Sequence, residues 1–194
     1  GKISSTTFTN DAYGTSDFNA VKDLTGTFQS FAYMKGENVG YSIKNATVKE
    51  NGVRQGEKES TKYVASLDAV STVLEKGDWV KYTVNAPEDG TYAVNMLLGK
   101  ASAGCVFEAV VDNQTITKMD VARDAFNNSE YANATTGTCT FTKGVHTLKL
   151  RVYHGTLDFV NVKTEKNAQP IGAVSASLET EGENVLRTVI GKFN

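Results

Sequence analysis

An all-β sandwich is the fold class this sequence predicts, and three observations predict it. The 194 residues contain 23 Thr and 21 Val against 10 Leu, with eight Tyr and nine Phe. β-Branched and aromatic side chains fit a pleated, half-buried surface, whereas helical proteins lean on Leu, Ala and Glu. From Val80 onward, short segments of period-two alternation are parted by turn residues roughly every 8–12 positions, the spacing of a sandwich. That stretch holds no three-turn helix with capping residues at its ends.

The elements follow in order. Ile3 to Phe8 reads as an opening strand and Phe28 to Tyr33 as another. Lys49 to Lys62, mixed in charge and rich in Glu, Lys and Gly, reads as a solvated loop or hairpin tip. Val80 to Val84 alternates as a half-buried strand, and Pro87-Glu88-Asp89-Gly90 turns the chain into a buried strand from Tyr92 to Leu98. Val106 to Val111 is closed by the turn Asp112-Asn113. Phe141 leads through Lys143-Gly144 into the strict alternation of His146 to Val152, and His154-Gly155 turns into Leu157 to Val162. A boundary falls near Asn167-Ala168-Gln169-Pro170, and Val174 to Asn194 reads as an extra strand, a short helix or the start of another module.

Composition excludes several functions. Twenty Lys and Arg against 22 Asp and Glu leave a net charge of -2, which gives no electrostatic footprint for nucleic acid. The longest apolar stretch, Tyr92 to Gly99, is broken by Asn95 and is too short to span a bilayer. No signal peptide heads the sequence; a mature secreted protein lacks one. At 20.9 kDa the chain suits one large β domain or one domain with appendages.

Chemistry-bearing motifs are missing as well. There is no HExxH, no Cys/His cluster at metal spacing, no GxGxxG, no phosphate-binding GKS/T loop and no nucleophile elbow. Glu75 and Asp78 are near neighbours in a loop and read as solvated. His146 shares parity with Leu148, Leu150 and Val152 and reads as a satisfied, core-facing histidine, whereas His154 lies in a loop, open to a ligand. Trp79, inside a regular strand, reads as a core residue. Cys105 and Cys139 both read as strand residues, either joined by a cross-strand disulfide or buried as free thiols. The chain reads as a non-enzyme.

An ordered series of motifs then narrows the reading. It runs Lys76-Gly77-Asp78-Trp79-Val80-Lys81-Tyr82-Thr83-Val84, then Asp89-Gly90-Thr91-Tyr92-Ala93-Val94, then Val110-Val111-Asp112-Asn113. It closes with Thr142-Lys143-Gly144-Val145-His146-Thr147-Leu148-Lys149-Leu150 and Leu157-Asp158-Phe159-Val160-Asn161-Val162. Over residues 73–163 this resembles the family 6 and family 35 carbohydrate-binding modules, galactose-binding-like β-sandwiches of jelly-roll type. The resemblance implies a sandwich over 1–163 with an insertion in about 10–70, and 164–194 as linker, extra strand or start of another module.

It implies, too, a secreted or cell-surface, extracellular module that binds a polysaccharide or oligosaccharide without catalysis. Such a module tethers an attached catalytic or surface module to its substrate by raising the effective concentration. A pyranose packs its C–H face on an exposed aromatic ring while placed polar groups fix its hydroxyls. Matched loop by loop, the implied carbohydrate-binding residues are Tyr33 or Tyr41, Phe126 or Tyr131, and the polar Asn133 and His154. The group's structural calcium would fall to Asp158, and Ser4 and Thr6 stand where the resembled families carry two glutamates. The competing reading is a structural or protein-interaction sandwich of a large extracellular protein, without a sugar site.

Overall fold

The computed structural model describes residues 20–39, 42–43, 46–47 and 60–166. The expected strand at 3–8, Tyr41 and the tail from 167 lie outside them. The strands in chain order are β1 (Lys22–Asp23), β2 (Thr27–Gln29), β3 (Lys35–Glu37), β4 (Ser42–Ile43) and β5 (Ala46–Thr47). After them come β6 (Thr61–Val64), β7 (Ala69–Glu75), β8 (Trp79–Ala86), β9 (Gly90–Gly99) and β10 (Val106–Val111). The last are β11 (Thr115–Asp120), β12 (Tyr131–Phe141), β13 (Gly144–His154) and β14 (Thr156–Lys166). They build two sheets, and β4 pairs only with β5.

Sheet A has the order β1-β8-β13-β10-β11, with β3 beside β1 on the β8 edge; sheet B has the order β12-β9-β14-β7-β6, with β2 beside β7 on the β14 edge. Apart from the hairpins β6–β7 and β10–β11, sequential strands of the two sheets alternate between them, so the layers are stitched by crossovers as in a jelly roll. Of the span read as an insertion, residues 20–39 and 60–70 give strands to both sheets. β14 runs on to Lys166, past the expected end of the sandwich.

The alternation read from the sequence points inward as expected. Val80, Tyr82, Val84 and Ala86 of β8 and Leu148, Leu150 and Val152 of β13 enter a core shared with Tyr92, Val94, Met96 and Leu98 of β9 and Phe159 and Val162 of β14. β7 and β11 escape sequence reading; in β7, buried polar residues sit among the apolar ones and break the alternation. Ser71 and Thr72 of β7 are fully buried, and the Thr72 hydroxyl meets that of Ser30 at 2.8 Å. β11 follows the three-residue loop 112–114, in which Asp112 and Asn113 take φ of 53° and 58°, the left-handed region that Asn and Asp tolerate.

Cys139 lies on β12 and Cys105 just before β10, and both are buried free thiols, the second of the two readings. Burial pushes each thiol up to about 12, which keeps it protonated and inert.

His146 lies mostly buried at the far end of β13, its ring 5.5 Å from that of Phe141. Nδ1 is 2.6 Å from Asp112 Oδ2 and Nε2 is 2.7 Å from the Thr142 carbonyl oxygen. The hydrogen bond to Asp112 raises the histidine above its ordinary value, against the opposing effect of burial. Burial pushes the Asp112 carboxyl up, but hydrogen bonds from His146 and the Thr147 N–H, with the histidine charge, outweigh it and hold the group low.

The histidine's contribution is therefore complete below its unfolded value and is lost as pH rises through the raised folded one. The aspartate's is present above its unfolded value and fades as pH falls through the depressed one. Between about pH 4 and about 6.5 both contributions stand. Unfolding free energy measured by denaturant from about pH 5.5 to about 8.5 should decline on the alkaline side, and His146→Gln should flatten that decline.

Candidate functional site

The residues expected to bind sugar do not converge. Tyr33 is fully buried in the core, a correction to its expected role. The chain after β2 turns inward, and the absent Cβ of Gly36 leaves room that Val39 takes first, with the Trp79 carbonyl at 3.1 Å and Tyr33 Cε2 at 3.2 Å from where that Cβ would lie. Phe126 is also a core residue, 3% exposed, and offers no platform. Tyr131 is half-buried and Asn133 exposed on β12, whose Ala132 and Ala134 face the core, so both look outward from sheet B. His154 is exposed at the end of β13, in sheet A.

Asp158 is 3% exposed near the start of β14. Its backbone N–H donates to Ser102 Oγ at 2.8 Å, and that hydroxyl donates to its carbonyl at 2.9 Å. Gly99 leaves room for the carboxylate, since a Cβ there would lie 2.5 Å from Oδ2. Oδ2 meets the Lys62 ammonium at 3.2 Å, and Oδ1 is buried without a hydrogen-bond partner. Calcium takes six to eight oxygens with several carboxylates. Among the described residues no group of three His, Cys, Asp or Glu gathers to hold a metal, and a lysine cation already faces this carboxylate. The described residues do not fit that ion.

The outer face of sheet A is a better built site. Because Val80 and Tyr82 point inward, Trp79 and Lys81 point outward; Trp79 is half-exposed and absent from the core cluster, which corrects its expected place there. Parity could have found it, since Trp79 alternates in step with Lys81 and out of step with Val80. By the same parity Lys149, Arg151 and Tyr153 of β13 face out.

Cross-strand register orders this face into rows. One row runs Glu37, Trp79, Arg151, Glu108, Lys118; the next runs Lys35, Lys81, Lys149, Val110, Ile116. Trp79 Nε1 donates to Glu37 Oε1, and Arg151 Nη1 lies 3.8 Å from Glu108 Oε1. Lys149 Nζ is 5.0 Å and Lys81 Nζ 5.8 Å from the centre of the Trp79 ring, cation–π distances.

A bulge completes the site. Phe107 pairs with Val152 but Val106 pairs with His154, so Tyr153 is one residue too many on β13. A regular strand would send Tyr153 and His154 to opposite faces; the bulge turns both toward one groove. That groove, about 540 Å³, is lined by Val106, Glu108, Ile116, Lys118, Tyr153 and His154. Ile116 and Tyr153 are 62% and 61% exposed, an apolar floor on an open surface. The arrangement can pack an apolar ring face on Tyr153 and Ile116 while Glu108, Lys118 and His154 reach polar substituents. Among the described residues no helix is long and apolar enough to cross a membrane.

Solved carbohydrate-binding modules share this fold at low sequence identity. CsCBM6-3 of Clostridium stercorarium, solved with cellobiose, superposes with a TM-score of 0.53 and 12% identity over 76% of this chain and 98% of its own. A β-1,3-glucan-binding CBM6 of Bacillus halodurans gives 0.52 and 16% over 77% and 100%. CBM6cm-2 of Cellvibrio mixtus lichenase 5A, solved with cellotriose, gives 0.52 and 14% over 75% and 99%. No protein-family model and no curated protein matches the chain.

Proposed function

We propose that this chain is a non-catalytic carbohydrate-binding module that holds a polysaccharide against the outer face of sheet A and tethers an attached catalytic or surface module to it. The observation that carries this reading is the bulge at Tyr153, which sets an exposed ring beside His154 over an apolar groove with Glu108 and Lys118 at its rim. Sugar recognition needs that combination: a C–H face on a ring and placed polar groups around it. The fold of the sugar-bound modules above supports it. Placement outside the cell follows from the same reading, because polymeric glycans of this kind lie there.

A second reading, a structural or protein-interaction sandwich without a sugar site, draws on one specific observation. Tyr33 and Phe126, two of the four loop aromatics that the resemblance assigned to sugar, are core residues.

Affinity electrophoresis through gels holding plant, fungal and algal polysaccharides separates the two. Retardation by one polymer class, lost in Tyr153→Ala with an unchanged melting temperature, is the expected result; the lost stacking area corresponds to about tenfold in affinity. An unretarded protein in every gel would favour the structural reading.

A further inference from the structure

We infer that the polymer bound on sheet A is a sulfated polysaccharide, read by the row Lys35, Lys81 and Lys149. This rests on the carbohydrate-binding reading of the same face and goes further, naming the chemical class of ligand.

The row is unusual for its position. Register puts Lys81 opposite Lys35 on one side and opposite Lys149 on the other, so three ammonium groups line up across β3, β8 and β13. Like charges directly opposite each other destabilise a sheet. Lysines are common on edge strands, where they block unwanted pairing. That explanation covers only Lys35, on the edge strand β3; Lys81 and Lys149 are on interior strands, since β13 lies between β8 and β10 and β8 between β13 and the short β1 and β3. Among the described residues no ion pair neutralises the three. The acids nearest in register are engaged: Glu37 accepts from Trp79, and Glu108 faces Arg151. Lys81 does reach one neutral acceptor, Asn113 Oδ1 at 3.1 Å.

The electrostatics agree. Burial first, then the charges of Lys149 and Lys35, lower the Lys81 ammonium below its ordinary value. An anion laid across the row would relieve that repulsion. The outer face carries Lys35, Lys81, Lys149, Arg151 and Lys118 against Glu37, Glu108 and Asp120, a surplus of cations on a chain whose net charge is -2.

Geometry and residue type set the ligand class. Adjacent strands lie roughly 4.8 Å apart, so the row offers one cation per step, close to the length of one sugar ring. The sugar chain then runs across the strands, with Trp79 alongside Lys81 and Lys149 and with Val110 and Ile116 beyond Lys149 as ring-packing surfaces. Arginine's planar fork suits the two coplanar oxygens of a carboxylate, whereas lysine acts as a point charge and suits an oxyanion of several equivalent oxygens. A row made only of lysines therefore fits sulfate half-esters better than uronate carboxylates.

The test is affinity electrophoresis of the full chain against a sulfated galactan, the same galactan after desulfation, polygalacturonate and a neutral β-glucan, at neutral pH. Expected is retardation by the sulfated galactan alone, weakening steeply with salt. Lys81→Gln with Lys149→Gln should weaken it about tenfold or more while leaving the melting temperature unchanged or raised, since a repulsive pair is removed.

Retardation by polygalacturonate that matches the sulfated polymer would overturn the sulfate assignment. Equal retardation by the desulfated galactan or the β-glucan would overturn it while leaving the carbohydrate reading intact. No retardation by any polymer would overturn both.

Discussion

Tyr82→Ala should lower the unfolding free energy by about 3–5 kcal/mol, the largest loss expected from any single change considered. Tyr82 is fully buried on β8, at the centre of sheet A's inner face. Its ring packs at 4.8 Å against Phe28 of β2, and its hydroxyl donates to the Ser30 carbonyl, so one side chain ties sheet A to sheet B. Alanine would leave a cavity between the layers and a buried carbonyl without its donor. Tyr82→Phe separates the two effects: it keeps the ring and should cost about 1–3 kcal/mol, the penalty of an unsatisfied buried acceptor. Urea denaturation of the three proteins measures both. Equal stability of the Phe variant and the parent would mean that packing alone holds the layers together. A domain has about 5–15 kcal/mol to lose, so the alanine variant should stand near the edge of folding.

The strands that the sequence reveals are those in which hydrophobicity and periodicity agree. β8 alternates Val80, Tyr82 and Val84 against Lys81, Thr83 and Asn85, and β13 alternates just as cleanly, so parity alone finds the core face. β6 and β7 are hidden for the opposite reason. Thr61, Ser71 and Thr72 are buried polar residues that break the local apolar pattern, and the partner of Thr72, Ser30, lies far along the chain where no local pattern can reveal it.

The binding site is less legible than the fold. An aromatic residue in a loop looks like a sugar platform whether it points out, as Tyr131 partly does, or in, as Tyr33 and Phe126 do. Direction depends on where the loop crosses the core, and Gly36 lets Val39 and Tyr33 pack close beneath β3. His154 was within reach of sequence reasoning because it follows a strictly alternating strand. Its neighbour Tyr153 was not, because the bulge that exposes both exists only in the pairing with β10. The lysine row is likewise a property of register: Lys35, Lys81 and Lys149 are scattered in sequence and meet only across three strands.

Lys62→Met should cost about 1–3 kcal/mol, the second large effect, and it bears on the calcium that the family resemblance implies. The Asp158 carboxylate is 5% exposed, and the Lys62 side chain across from it is 53% exposed. Removing the partner of a fully buried charge costs roughly 3–5 kcal/mol; water at the lysine end reduces that figure here. Asp158→Asn keeps the shape beside Gly99 and removes the charge, so the Lys62→Met and Asp158→Asn double variant should be more stable than the sum of its single variants allows. That positive coupling is the signature of a lysine serving as the cation of this site. If so, added calcium or a chelator should leave the melting temperature of the parent protein where it was. A melting temperature that falls with chelator and returns with calcium would mean that another cation serves Asp158, and the coupling between Lys62 and Asp158 should then vanish.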